Sequence, residues 1–162
     1  MKALKRVLAV IAAVAIGSWV VVQFMGRNAP PGLGPTEDGL AECPDTPNCV
    51  CSDCEQSDKL PPLEFSSDPA VAKAALKAAL AKMKIEVVAQ QENYVHAIAV
   101  TPIMRYRDDL EFLIQPEEKK IQVRSASRLG KSDLGKNRAR LKEIFALLEK
   151  EGIRAGKADA AN

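Results

Sequence analysis

The chain has 162 residues, with 23 Lys+Arg, 21 Asp+Glu, a net charge of +2 and 47% hydrophobic residues. This length suits one modest domain, and the composition excludes a multidomain enzyme, a disordered chain and a strongly basic nucleic-acid binder. The charges are segregated along the chain. Residues 1–27 hold four basic residues and no acid, residues 28–66 hold eight acids and one lysine, and residues 67–162 hold 18 basic and 13 acidic residues.

The first segment, residues 1–27, is predicted to be a membrane anchor. Val7 to Met25 is a run of nineteen residues without a charge, and Gln23 is its one clearly polar member. A helix of that length is roughly 28 Å long, close to the hydrocarbon thickness of a bilayer. A cleaved signal peptide is the alternative, but this apolar core is long for one and no Ala-x-Ala step follows it. We therefore expect residues 7–25 to contact the membrane.

The flanking charges predict the orientation of this helix. Lys2, Lys5 and Arg6 precede the apolar run, whereas Arg27 alone follows it before an acidic stretch. Under the positive-inside rule the N-terminus then lies in the cytoplasm. We expect a single-pass protein of the inner (cytoplasmic) membrane, with residues 28–162 in the periplasm or otherwise outside the cytoplasm.

Residues 28–66 are predicted to form a spacer, since residues 28–39 are rich in Pro and Gly and lack a periodic apolar pattern. This spacer holds every cysteine of the chain: Cys43, Cys49, Cys51 and Cys54. An even number of cysteines in an oxidising compartment favours disulfides and no cofactor. Two alternatives stay open: zinc or an iron–sulfur cluster bound by the four thiolates, and a redox-active pair of Cys51 and Cys54.

Residues 67–151 are predicted to form a two-layer α+β domain. Asp68 and Pro69 are typical of a helix start, and an apolar stripe runs from Ala72 to Met83. Four strand-like stretches follow over residues 85–90, 94–101, 109–115 and 120–127, and their connections are too short for parallel crossovers. Together with the N-terminal transmembrane helix, this predicts a four-stranded antiparallel meander with two helices, in the order αββββα.

A last helix is predicted from about Leu134 or Lys136 to Glu151. Its buried stripe is expected to contain Leu134, Leu141, Ile144, Phe145 and Leu148. Ser132 or Asp133 caps its start, and Asn137 and Arg138 face inward, where they need polar partners. Residues 152–162 are predicted to be a disordered tail.

The register of the last hairpin follows from its apolar alternation. A two-residue turn at Glu117 and Glu118 pairs Phe112 with Val123 and places Glu111 opposite Arg124. A turn longer by two residues places Asp109 opposite Arg124 instead. Either register gives Arg124 an acidic partner on the face away from the apolar side chains.

The segment from Arg124 to Arg138 is the most unusual stretch of the chain, because it is polar, basic and contains two glycines. Such a loop before a helix can hold an anion on its backbone N–H groups. Alternatively, its arginines Arg124, Arg128 and Arg138 pair with nearby carboxylates and join the helix to the sheet. The candidate ligand-binding residues are Arg124, Ser127, Arg128, Ser132, Asp133, Asn137, Arg138, Asp108, Asp109 and Glu111.

Catalysis is less favoured. His96 is the one histidine of the chain, so a typical histidine metal site is excluded. The residue types of a hydrolase triad are present in Ser125 or Ser127, His96 and Asp109, but neither serine lies on a nucleophile elbow. The basic residues also lack the interleaved aromatic side chains of a single-stranded nucleic-acid binder.

Four motifs carry a family resemblance. They are Cys43-Pro-Asp-Thr-Pro-Asn-Cys49-Val, Tyr94-Val-His-Ala, Asp108-Asp109-Leu-Glu111-Phe112 and the whole Arg124 to Arg138 segment. In this order, over about residues 40–150, they resemble the domain-of-unknown-function family numbered fourteen ninety-nine, which occurs in bacteria and plastids. The resemblance implies no reaction. It implies a shared Cys43–Cys49 pair and an added Cys51–Cys54 pair, because relatives have Ser-Ser where this chain has Cys51-Ser52.

The expected function is therefore that of a membrane-anchored, extracytoplasmic, non-enzymatic accessory or binding domain. Its contact surface would combine the Arg124 to Arg138 segment with the strand start at Asp108 to Glu111, and its partner would be a protein or a small anionic ligand, not nucleic acid. The first alternative is a four-cysteine metal-binding or thiol-redox protein. A less favoured one is an enzyme acting on an anionic substrate.

Overall fold

The N-terminal apolar run forms one long helix. In a computed structural model, which describes residues 1–54 and 59–156, helix α1 spans Lys2–Met25 and none of its residues is buried. Within those described ranges it is the one helix long and apolar enough to cross a membrane, with a mean hydropathy of 2.4. A membrane anchor and a signal sequence both have this form.

The four predicted strands are present and pair in sequence. They are β5 (Glu86–Gln90), β6 (Tyr94–Val100), β7 (Arg107–Gln115) and β8 (Lys120–Ser127). Each is antiparallel to the next. In the last hairpin Phe112 lies opposite Val123 and Glu111 lies opposite Arg124, so the register of the two-residue turn is confirmed and the longer-turn register is wrong.

The prediction of a four-stranded sheet is wrong, because three short strands extend it to seven. Strands β3 (Cys49–Cys51) and β4 (Leu63–Glu64) both pair with the free edge of β8, and β9 (Arg154–Ala155) pairs with β4. The order is β5-β6-β7-β8-β4-β9, with β3 beside the other half of β8. A separate hairpin joins β1 (Pro35–Thr36) to β2 (Gly39–Leu40).

These added strands come from segments predicted as spacer and tail. They are two or three residues long, so they carry no period-two pattern for sequence analysis to detect. Strands β3 and β4 are held by ladder bonds to β8, and β9 by ladder bonds to β4. A few buried side chains add to this, among them Leu63, which is fully buried, and Val50. Residues 157–162 of the predicted disordered tail, and residues 55–58 of the predicted spacer, lie outside the described residues.

Two helices cover one face of the sheet. Helix α2 spans Pro69–Lys82, and the predicted cap is confirmed because Asp68 Oδ1 accepts from the Ala70 N–H at 2.8 Å. Helix α3 spans Lys136–Glu149. The inclusion of Leu134 in its buried stripe is wrong: Leu134 is 88% exposed, since the helix begins two residues after it. The core between sheet and helices includes Leu76, Leu80, Leu110, Phe112, Ile121, Leu141, Ile144 and Leu148.

The opposite face of the sheet is covered by residues 34–40, which we refer to as the strap. The Gly34 N–H donates to Glu111 Oε1 at 2.8 Å, and the Leu40 N–H donates to Gln122 Oε1 at 3.3 Å. Gly39 has φ +129, and a Cβ there would lie 2.6 Å from Gln122 Oε1. Part of the predicted spacer therefore packs on the domain, and the sheet beneath it is buried on both faces.

Candidate functional site

The sheet face beneath the strap carries a cluster of buried ionisable side chains. Glu111 is fully buried and Asp109 is 1% exposed. The strand register places His96 and Arg124 on either side of Glu111. Because directly opposed residues of antiparallel strands project from the same face, these side chains converge. We refer to these four side chains, together with two neighbours, as the strap-face cluster: Tyr94, His96, Asp109, Glu111, Arg124 and Arg128.

Both carboxylate oxygens of Glu111 accept hydrogen bonds, from donors in three parts of the chain. Tyr94 Oη and the Gly34 N–H each donate to its Oε1 at 2.8 Å, and Arg124 Nη1 donates to its Oε2 at 2.7 Å. Burial, with the hydrogen bond to Glu111, raises the pKa of Tyr94 far above its ordinary range. Tyr94 therefore remains a neutral donor, and the carboxylate remains paired with one arginine.

Asp109 is held by a bidentate arginine and by the histidine. Arg128 Nε and Nη2 donate to its two oxygens at 2.8 and 2.7 Å, and His96 Nε2 lies 2.7 Å from Oδ1. Burial alone would raise the pKa of Asp109, but the hydrogen bonds from His96 and Arg128 outweigh it and hold that pKa below its usual range. Since an ionised carboxylate only accepts, His96 Nε2 is the donor.

A second polar cluster lies on the face of the sheet that the helices cover, and it joins α3 to the sheet. We refer to it as the helix-face cluster. Arg140 Nη2 donates to Asp108 Oδ2 at 2.6 Å. Asn137 is 1% exposed; its Oδ1 accepts from Ser125 Oγ at 2.7 Å, and its Nδ2 donates to Ser127 Oγ at 3.0 Å. The inward-facing amide thus finds the polar partners that it needs, two of them hydroxyl groups.

The four cysteines form two disulfides, Cys43–Cys49 and Cys51–Cys54. This is the pairing that the family resemblance implies. The Cys43–Cys49 loop is fastened to the segment after β8 by Asn48. Its Nδ2 donates to the Gly130 carbonyl at 2.6 Å, and its own carbonyl accepts from the Ser127 N–H and from Asn137 Nδ2, each at 3.0 Å.

A cavity of about 670 Å³ opens between these two segments, and we refer to it as the loop cleft. Its lining includes Thr46, Pro47, Ser132, Asp133, Asn137 and Arg138. The N-cap residue of α3 is Gly135, and not Ser132 or Asp133 as predicted. The Asp133 carboxylate still accepts from the Gly135 N–H at 3.0 Å and from the Asn137 N–H at 2.6 Å. Ser132 Oγ accepts from the Leu134 N–H at 3.3 Å.

The ten predicted site residues are therefore distributed over three places. Arg124, Arg128, Asp109 and Glu111 lie in the strap-face cluster, Asp108, Ser127 and Asn137 lie in the helix-face cluster, and Ser132, Asp133 and Arg138 line the loop cleft with Asn137. The predicted pairing with carboxylates holds for Arg124 and Arg128, but these two pairs lie on the strap face, so the prediction that they join the helix to the sheet is wrong. A role of these residues in anion binding stays a prediction.

Two residues that organise the site were missed. Arg140 takes Asp108 as its partner, and its position three residues after Asn137, hence on the same helix face, was the available signal. Asn48 joins the two loops. It belongs to the motif that begins at Cys43, but it is 82 residues away from Gly130, so no local pattern predicts the contact.

The hydrolase triad drawn from the sequence is not assembled. Ser125 lies opposite Leu110 and Ser127 opposite Asp108, whereas His96 lies opposite Glu111. Because Leu110 and Glu111 are adjacent on β7, they project from opposite faces of the sheet. The Ser125 hydroxyl also donates to Asn137. In residues 1–54 and 59–156 no group of three or more His, Cys, Asp and Glu is arranged to hold a metal ion.

Comparison with known proteins agrees with the motifs. No curated protein matches the chain. The family described as "Protein of unknown function (DUF1499)" matches residues 39–148, a range that begins after α1 and contains both disulfides, both polar clusters and the loop cleft. This range covers more than half of the chain, and the family is the one that the four motifs resemble. The chain belongs to the DUF1499 family.

Proposed function

We propose that this chain is a single-pass membrane protein whose domain lies outside the cytoplasm and acts as a non-enzymatic accessory or binding module. The observation that carries the proposal is α1, whose large apolar side chains are exposed from Leu4 to Met25. Leaving that surface in water costs about 25 cal/mol per Å². A bilayer removes this cost, and the helix has the length to span one.

Charge and redox state support the same orientation. Lys2, Lys5 and Arg6 lie before the apolar run and favour the cytoplasmic side. Disulfides persist in oxidising compartments, and the Cys43–Cys49 and Cys51–Cys54 bonds lie on the other side of the helix. Two independent features thus favour an extracytoplasmic domain.

Burial of the charges supports binding over catalysis. The guanidinium groups of Arg124, Arg128 and Arg140 are each committed to a buried carboxylate, so they hold the fold together and offer little to a substrate. The loop cleft is an open cavity, and Ser132, Asp133 and Arg138 are among the residues that line it. We take this cleft as the recognition site, for a segment of a partner protein or a small anionic ligand.

Fractionation of a Gram-negative host that expresses the full chain tests the topology. We expect the intact chain in the membrane fraction, and digestion of its domain when a protease is added to spheroplasts. A shortened chain in the soluble periplasm would establish cleavage of α1. A domain that resists protease until the spheroplasts are lysed would reverse the proposed orientation.

Intact mass and metal content of the purified full chain test the role of the cysteines. We expect a mass about 4 Da below that of the fully reduced chain, since two bridges remove four thiol hydrogens. Stoichiometric zinc or iron with free thiols would contradict the disulfides and favour the four-cysteine metal alternative.

Thermal melting in the presence of inorganic phosphate tests the loop cleft for anion binding. We expect phosphate to raise the melting temperature of the wild type and to raise that of an Arg138→Ala variant less. Lys142→Ala is the matched control, because Lys142 is an exposed basic residue of the same helix outside the cleft. Equal responses in both variants would attribute the effect to surface charge, and no response in the wild type would leave only a protein partner.

A further inference from the structure

The end of the domain next to α1 carries a concentration of exposed apolar side chains. Ile103 is 83% exposed and Leu134 is 88% exposed. Both line a mainly apolar recess of about 670 Å³, together with Met104 and with Val22 and Met25 of α1. Contiguous apolar surface of this kind marks an interaction surface.

The depth of this patch relative to α1 points to its partner. Trp19 Nε1 donates to the Ile103 carbonyl at 3.4 Å, and Gln23 Nε2 donates to the Met104 carbonyl at 3.0 Å. Trp19 lies six residues before Met25, or about 9 Å along the helix axis. The 101–106 turn therefore lies beside the last two turns of the apolar helix. In a spanning helix these turns reach the boundary between acyl chains and headgroups, where tryptophan is enriched.

The backbone of the 101–106 turn is suited to a poorly hydrated environment. The Arg105 N–H donates to the Thr101 carbonyl at 3.1 Å, and the Thr101 N–H donates to the Tyr106 carbonyl at 2.9 Å. The Tyr106 N–H donates to Thr101 Oγ1 at 2.9 Å. The carbonyls of Ile103 and Met104 are taken by α1. Because unpaired backbone polar groups are costly in lipid, this bonding lowers the cost of bringing the turn into the headgroup layer.

The exposed charges around the patch are basic, whereas of the two acids that line the recess Asp108 is buried and Asp133 is half-buried. Arg27, Arg105, Lys131 and Lys136 are exposed on the segments that form or border the recess. Long basic side chains at such a surface extend toward anionic headgroups while their stems cover apolar surface. We propose that the 101–106 turn and Leu134 form a membrane-contacting surface, by which the domain rests on the outer leaflet of the bilayer that holds α1. This inference rests on the proposed anchoring.

The single tryptophan of the chain makes the proposal testable. The full chain is reconstituted in vesicles of phosphatidylcholine and phosphatidylglycerol with or without bromine on the acyl chains, since bromine quenches tryptophan on contact. Trp19 of the wild type reports on α1. In a Trp19→Phe background, where the Gln23 bond still holds the turn, Ile103→Trp and Leu134→Trp each report on the surface.

Val71→Trp in the same background is the matched control. Val71 is an exposed residue in the first turn of α2. That end of α2 borders Asn93 and Pro116, at the opposite end of β6 and β7 from the 101–106 turn. Seven residues of β6 separate the two ends by about 23 Å.

We expect brominated vesicles to remove most of the fluorescence of the wild type and of both surface reporters, and little of that of the Val71→Trp control. Quenching of Trp19 with both reporters as resistant as the control would overturn the surface and leave the anchor intact. Unquenched Trp19 would overturn the anchor and the surface together. A blue shift of both reporters without bromine quenching would mean that protein covers the patch, which also overturns the proposal.

Discussion

Replacement of Arg128 by methionine tests whether the ion pair beneath the strap stabilises the domain. The Arg128 side chain is 4% exposed and makes two bonds to Asp109, which is 1% exposed. Methionine keeps much of the packing volume but leaves the carboxylate buried with His96 as its remaining side-chain donor. Removal of one partner of a buried pair costs about 3–5 kcal/mol. That is a large part of the roughly 5–15 kcal/mol by which a domain is stable.

The free energy of unfolding of the full chain in detergent micelles is measured by pulse proteolysis in urea. Lys120→Met is the matched control at the other end of β8. Its partner Glu118 lies at 3.8 Å and both side chains are exposed, so we expect the free energy of unfolding to fall by about 0–1 kcal/mol. Asp109→Asn combined with Arg128→Met removes both charges of this pair, and we expect it to recover part of the loss in the free energy of unfolding. The reasoning would be refuted if Arg128→Met lowered the free energy of unfolding no more than the control does, or if the double variant recovered none of that loss.

Three further predictions concern acid stability, the buried amide and the first disulfide. The pKa of Asp109 is depressed in the folded state, so its contribution is present above the ordinary carboxyl pKa of about 3.9 and is lost as pH falls through the folded pKa. The melting temperature of the wild type should therefore decrease as the pH is lowered below about 4, and that of Asp109→Asn should decrease less steeply. Asn137→Leu leaves the Ser125 hydroxyl without its acceptor and removes one of the two donors to the Asn48 carbonyl. A loss of about 1–3 kcal/mol for the unsatisfied hydroxyl should lower the urea midpoint, and an unchanged midpoint would contradict the buried network. A Cys43→Ser, Cys49→Ser double variant releases a short closed loop and should lose about 2 kcal/mol in the same assay, whereas a stable double variant would show that Asn48 alone fixes the loop.

The parts of the fold that could be predicted from the sequence are those with a local periodic cause. Leu110, Phe112 and Ile114 alternate along one strand, as Ile121 and Val123 do along the next. This parity limits the residue opposite Arg124 to Asp109 or Glu111, and the two-residue turn selects Glu111. The cap at Asp68 followed from a two-residue signal. Both kinds of information are contained within a few residues, so no knowledge of tertiary contacts was needed.

The missed parts depend on contacts between distant segments. Val50 and Leu63 join the sheet because β8 offers them an unpaired edge, and neither lies in a periodic stretch. Gly34 lies in a Pro- and Gly-rich segment that reads as a spacer, yet its N–H meets Glu111 across 77 residues. For the loop cleft, Asn48 supplies the junction. Composition predicts flexibility in such segments, and the buried acceptors that tie them down are visible only in three dimensions.

The three buried acids of β7 have separable roles because of their parity. Asp108 shares the helix face with Leu110, whereas Asp109 and Glu111 project beneath the strap. Only Asp108 can therefore reach α3, where Arg140 meets it. Asp109 instead fixes Arg128, whose Nη1 also donates to the carbonyls of Gly26 and Arg27 at 3.2 and 3.1 Å. The same guanidinium thus joins a central strand to the exit of α1. Loss of Arg128 should consequently loosen the orientation of the domain toward the membrane as well as its core.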